Sequence, residues 1–478
     1  MRTRRSILGS ACGAALAGAL PFRTAGAALP FREVPGERPA PPPEGVEVLD
    51  PFGGRVPVSF IIDDSTCLVN MGYYCMPQFA EAWGRERYEL DWRKWPREIP
   101  DDFVRRFGEF CQGECVRGKY SVVPYPAMVG WVDREIPGWT RRELVASRRL
   151  VRDFLMPSWD IHPEMISHTR IIDVKTGRPT PQRPDGSYWM ENGGWTAGRS
   201  VDEIAAYIAY ALDILRNAEL PCEGFTTPGG FGNGEKERLE IAGAEAIRSI
   251  FPATEIPHYF KYVITDPEES VVPRVQRVRG LDTDSPECLV NIPSCTGDWF
   301  GAWHGGRPEP TDQTIDRHIT ADGSEGRLVE VIEKGEPAAF LTHWPSLYAN
   351  GTDVAFAAFR GIVQRVNETY RDRIIWMKLS EMARYWAARE LTAIRGSGAE
   401  LTLSAPWSCP GFTLRIPRVA DSSRLVLRAG DDAAVALTRV DFGKAHAMQP
   451  GTFRLGEGGT EICIDLPRGE STIRVADA

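Results

Sequence analysis

The chain has 478 residues, of which 42% are hydrophobic and 25% charged, and a formal net charge of −9. That length exceeds one small core and suits a domain of barrel size with a smaller one beside it. The acidity argues against nucleic acid or an anionic membrane as partner, and no apolar run beyond the leader is long enough to span a bilayer.

The first element is a targeting segment. Arg4 and Arg5 precede a weakly apolar stretch rich in Ala, Gly and Leu, and Ala25-Gly26-Ala27 offers a small-residue cleavage site. Residues 1–27 therefore read as a twin-arginine signal, with the protein expected in the periplasm or outside the cell. Cutting after Ala27 would remove Arg2, Arg4, Arg5 and Arg23, moving the formal charge from −9 to −13. Of ten cysteines, nine would remain; Cys111 and Cys115 are four apart and no Cys-x-x-Cys pair occurs. That pattern argues against a thiolate zinc site and leaves at least one thiol unpaired.

Residues 28–45 are rich in Pro, Gly and charge and read as an extended linker. From 46 to 395, short apolar runs alternate with helical patterns. Strands are expected over 56–62, 119–125, 164–168, 224–227, 288–292, 338–343 and 373–378. Between them lie amphipathic helices, one opened by a capping box of Ser200 and Glu203. About seven strand–helix units over this length predict an α/β fold of the distorted (β/α)7 barrel kind. Two long polar loops, 173–199 and 263–287, interrupt the alternation. In the first, Tyr188, Trp189 and Trp195 either stack on a sugar ring or pin the loop to the barrel. From 396 to 478 the period changes to two, with Gly, Asp and Ser turns, and a small all-β, sandwich-like accessory domain is expected.

The run Val58-Ser59-Phe60-Ile61-Ile62 ends on Asp63 and Asp64. Carboxyl ends of buried parallel strands are where chemistry sits in such folds. Two adjacent carboxylates there repel unless a cation or a shared proton relieves them. The plainer alternative is that one of them caps the following turn. His168, closely followed by Asp173, offers nitrogen and oxygen ligands for a divalent ion. His343, at the end of an apolar strand, suits a general acid or base near neutral pH.

The order of these pieces resembles the polysaccharide deacetylase family. The resemblance spans roughly residues 55–390 and implies a distorted barrel and a metal-dependent deacetylation of an acetylated poly- or oligosaccharide. It implies Asp63 as general base, Asp64, His168 and Asp173 as ligands of Zn, Co or Ni, and His343 of Leu341-Thr342-His343 as general acid. Asp298-Trp299 is similar to the family's Asp-Trp pair and, with Trp189 and Trp195, is expected near the substrate. Two positions depart from the pattern. Ile172 stands where the family's further metal ligand falls, with Asp173 one residue beyond it and His162 as another conceivable ligand. Thr226 stands where an arginine normally orients the catalytic aspartate. Two other functions compete: a glycoside hydrolase on the same barrel using paired carboxylates, and a non-catalytic glycan-binding protein.

Overall fold

A computed structural model describes residues 36–83, 88, 90–180, 189–191, 194–301, 310–397, 399–440 and 448–476. The expected signal segment and residues 181–188 of the first long loop, Tyr188 among them, lie outside these residues. The chain is an α/β protein: a distorted barrel of parallel strands joined to an antiparallel all-β unit.

The barrel is built from β1 (Val56–Asp63), β2 (Gly118–Val122), β3 (Trp159–Pro163), β4 (Gly224–Thr226), β5 (His258–Phe260), β6 (Arg274–Arg279), β7 (Glu287–Asn291), β8 (Ala338–His343) and β9 (Ile374–Trp376). β1 is buried at every position, as a strand covered on both faces must be. It pairs in parallel with β2 on one edge; on the other, Val56–Val58 pairs with β9 and Val58–Asp63 with β8. β2 continues to β3, and β4, β5 and β7 form a second parallel run edged by antiparallel β6. The two runs meet at slender seams. A parallel bridge joins Glu164 to Thr226, and the Cys295 amide donates to the Ala339 carbonyl at 2.6 Å.

Period-two alternation divides each strand between two cores. On the outer face Phe60 stacks on Phe359 with ring centroids 4.4 Å apart, inside the cluster that joins strands to the surrounding helices. Ile61 faces the other way, in a cluster with Phe260, Val290 and Leu341. The inward side of β2 to β5 is polar instead: Lys119, Ser121, Asp160, His162, Thr226 and His258 are all buried. Gly224 makes room for two of them, since a Cβ there would lie 2.4 Å from His162 Nε2 and 2.8 Å from His258 Cδ2.

The capping box is present: Ser200 and Glu203 reciprocally bond each other's backbone amides at the start of the helix Val201–Asn217. Elsewhere the structure corrects the sequence reading. The strand expected at 164–168 lies earlier, at Trp159–Pro163, because the chain turns at Glu164 to present its side chains at the barrel's rim. Short β5 carries too few residues to show a period and was not expected. Residues 263–287 are not all loop, since they contain β6, whose Arg-rich outer positions mask its alternation.

The C-terminal unit has two five-stranded sheets. Glu47–Val48 pairs with Cys409–Ile416 at the edge of one of them, so residues 46–49 belong with this unit as well as with the barrel. The helix Leu379–Leu391 shares a core with it: Tyr385 lies 6.2 Å from Phe412, centroid to centroid, and donates from its hydroxyl to the Leu49 carbonyl at 2.7 Å. All nine cysteines among the described residues are free thiols. No described helix is long and apolar enough to cross a membrane.

Candidate active site

The carboxyl ends of β1, β2, β3 and β8 converge, and three groups of side chains meet there. In the first, ligand atoms of Asp64, Glu164 and His168 all lie within 4.8 Å of one another. Asp64 follows β1, and Glu164 follows β3. Glu164 Oε2 accepts from the Asp64 amide at 2.8 Å, which ties the two strand ends together. His168 stands on a turn closed by its own amide to the Met165 carbonyl at 3.0 Å. The buried Glu191 carboxylate accepts from the Ser167 amide at 3.1 Å and braces that turn. Asp64 and His168 both hold positive φ, at 57° and 59°. For residues with a Cβ that conformation is uncommon and tends to mark functional positions.

His168 Nε2 sits 2.6 Å from Asp64 Oδ1 and 3.3 Å from Glu164 Oε1. Burial opposes a charge on His168, but Asp64 and Glu164 outweigh it and hold the imidazole pKa well above the ordinary value. Burial also works against the Glu164 carboxylate, and His168 reverses that and lowers it. Asp64 is completely buried, yet neither of its oxygens has a hydrogen bond of good alignment. Two buried carboxylates share one imidazole as their counter-charge, which leaves negative charge uncompensated in the interior, and a divalent cation that displaces the imidazole's proton would balance it. One imidazole and two carboxylates form a donor set suited to a borderline divalent ion, so these residues fit a metal.

The second group surrounds Asp63. Lys119, from β2, forms a buried ion pair with Asp63 Oδ1, and Ser121 donates to the same oxygen at 3.3 Å. Burial raises the Asp63 pKa, and Lys119 works against that rise. The third group is centred on Asp298. Its Oδ2 lies 2.6 Å from His343 Nδ1 and accepts from the Ser346 hydroxyl at 2.6 Å. His343 faces Asp63 across the β1–β8 ladder, and its Nε2 lies 4.0 Å from Asp64 Oδ2. Burial disfavours its charge, but Asp64 and Asp298 overcome this and raise its pKa to about 9. These neighbours favour its imidazolium form, which Asp298 orients and which suits the donation of a proton.

The structure thus brings together Asp63, Asp64, His168, His343 and Asp298. It does not bring Asp173 to them. Asp173 is exposed, and its Oδ1 accepts from the amides of Lys175 and Thr176, both at 2.9 Å, closing its own turn. Ile172, just before it, is buried in the main core, so no bulge carries Asp173 inward. Glu164 takes the third place instead. It stands four residues before His168, and that spacing was readable once the chain is seen to turn there. His162 also points elsewhere: its Nε2 lies 2.9 Å from His258 Nε2, and its Nδ1 lies 3.3 Å from Thr226 Oγ1. Lys119 was the other residue missed. Its signal was a lysine within an otherwise buried strand, which requires a partner.

Of the aromatic candidates, Trp195 packs between Tyr207 and Phe231, and Arg199 covers its ring. Trp189 also packs against the main core. Both pin the loop, which favours the packing alternative over a stacking platform. Trp299, next to Asp298, is half-buried under Arg317, with its ring inclined at 63° to that of His318 and centroids 5.0 Å apart.

No protein-family model and no curated protein sequence matches the chain. Among solved structures, it is similar to a 4-alpha-glucanotransferase from Thermococcus litoralis, with 12% identity and a TM-score of 0.35. That match covers 69% of this chain and spans only 40% of the glucanotransferase. It is also similar to a glycoside hydrolase family 30 subfamily 8 xylanase from Clostridium acetobutylicum, with 8% identity and a TM-score of 0.29 over 91% of this chain and 97% of that one. A Thermotoga maritima alpha-fucosidase gives 11% identity and a TM-score of 0.28 over 90% and 97%. At these scores the likenesses carry no functional argument.

Proposed function

We propose that the protein is a metal-dependent hydrolase that removes acetyl groups from a poly- or oligosaccharide outside the cytoplasm. The observation that carries this reading is the buried Asp64–Glu164–His168 cluster, with a paired aspartate and a charged histidine on either side of it. Asp64, Glu164 and His168 would hold the ion. When bound, it would polarise the acyl carbonyl and lower the pKa of water. Asp63 takes the proton of the attacking water as the new C–O bond forms. The bond from the acetyl carbon to the sugar nitrogen or oxygen then breaks, and His343 protonates the departing atom. The products are acetate and a free amine or hydroxyl. The twin-arginine leader expected at residues 1–27 would carry the protein to an extracellular glycan.

A second reading is a glycoside hydrolase. It is favoured by the several buried carboxyls at the strand ends, Asp63, Asp64 and Glu164, since glycosidases need two carboxyl groups flanking one bond. The two readings separate on their products. Incubation with acetylated and deacetylated oligosaccharides should release acetate from the first and no new reducing ends from either. New reducing ends without acetate would replace the deacetylase reading with the glycosidase one. A protein that binds these glycans and turns over neither would be a binding protein.

A further inference from the structure

We infer that Lys119 is a positioning residue for the proposed hydrolysis, fixing Asp63 so that a single carboxylate oxygen is left to take the proton. The inference rests on the deacetylase reading of the site and adds to it a residue and a geometry.

Lys119 has no exposed surface. An ammonium group carries three donors, and here each has an acceptor: the Ile62 carbonyl at 3.2 Å, Ser121 Oγ at 2.7 Å and Asp63 Oδ1. The nitrogen also lies over the Phe260 ring, 5.1 Å from its centroid. Every donor is thus engaged by β1 or β2. Ser121 donates to the same oxygen, Oδ1. No hydrogen bond from a described residue reaches Oδ2. The carboxylate plane is therefore set by Oδ1, and the lone pairs of Oδ2 remain for the incoming proton. His343 stands opposite on β8, so acid and base face each other across one ladder.

A lysine that only neutralised Asp63 would need no such grip, and an arginine would serve as well. Arginine keeps the charge but presents a planar fork in place of a three-way point donor. Lys119→Arg therefore separates the two roles, and Ser121→Ala, which changes no charge and loses little volume, gives a second test should the larger side chain disturb folding. Each would be loaded with Co²⁺ and assayed on 4-methylumbelliferyl acetate and an acetylated chito-oligosaccharide, alongside melting temperature and calorimetric Co²⁺ affinity. Positioning predicts kcat reduced by about 100-fold in Lys119→Arg, the order expected for a reacting group misplaced by 1 Å. It predicts a smaller fall in Ser121→Ala, with KM, melting temperature and Co²⁺ affinity near wild type. Wild-type kcat in Ser121→Ala, or in a folded Lys119→Arg, overturns the inference. So does a loss of kcat that is matched by loss of Co²⁺ affinity and melting temperature in both variants. A wild-type protein that binds Co²⁺ but releases no acetate overturns the deacetylase reading itself, and Lys119's role with it.

Discussion

Asp63 and Asp64 are neighbours in sequence with different proposed tasks, and the difference lies in what surrounds each. Asp63 is held by a lysine and a hydroxyl, whereas Asp64 meets an imidazole and has no well-aligned donor. Asp63→Asn should keep the metal and lower kcat by roughly 10²–10⁴-fold, the usual contribution of a positioned proton-transfer group. Retained activity with normal metal content would remove Asp63 as base. The ligand assignment has a paired test. Glu164→Gln should weaken metal affinity by more than the roughly 10–100-fold that loss of an outer-shell partner costs, while Asp173→Ala should leave it unchanged. Equilibrium dialysis with Co²⁺ measures both, and the reverse pattern would restore Asp173 as ligand. The sequence announced Asp63, Asp64, His168 and His343 because each closes an apolar run or follows one closely. It concealed Glu164, since a glutamate four residues before a histidine is also an ordinary helical pair. It concealed Lys119 because its partner is 56 positions away.

The barrel strands were legible where burial on both faces made them continuous, as in Val56–Asp63 and Ala338–His343. They were illegible where polar side chains point inward. His258–Phe260 has three residues, and its inward histidine reads as a loop. That polar interior needs space, and Gly224 supplies it. Gly224→Ala would drive a methyl group against His162 and His258, and overpacking of this kind costs about 1–3 kcal/mol. Chemical denaturation should show a lower midpoint with an unchanged slope. A midpoint equal to wild type would mean that the imidazole pair shifts freely.

The barrel is tied to the C-terminal all-β unit by a core shared with the helix Leu379–Leu391, where Trp386, Phe412 and Leu414 lie in one cluster. Period-two alternation after residue 396 showed the all-β character of this unit plainly. Its borrowed strand, Glu47–Val48, was invisible because two residues carry no pattern. A chain ended at residue 391 would expose that core and should aggregate on expression; a soluble, cooperatively melting fragment would show that the barrel is independent.

Stability of the whole should also fall in mild acid. His318 is buried among Trp299, Phe300 and Phe340, and burial lowers its pKa to about 4. In the unfolded chain it takes a proton near the ordinary value of about 6.5. Its contribution is thus present above about pH 6.5 and declines as the pH falls toward 4, by on the order of 3 kcal/mol in all. Urea midpoints of the wild type should drop over that window more steeply than those of His318→Gln; parallel profiles would place the titration elsewhere.

The metal is the point on which the proposed reaction stands. Acetate release from an acetylated oligosaccharide, measured on protein stripped with chelator and then reloaded with Co²⁺, tests it most directly. A hydrolase built on Asp64, Glu164 and His168 should lose the activity on stripping and regain it on reloading. Turnover that persists undiminished after complete removal of metal would contradict it.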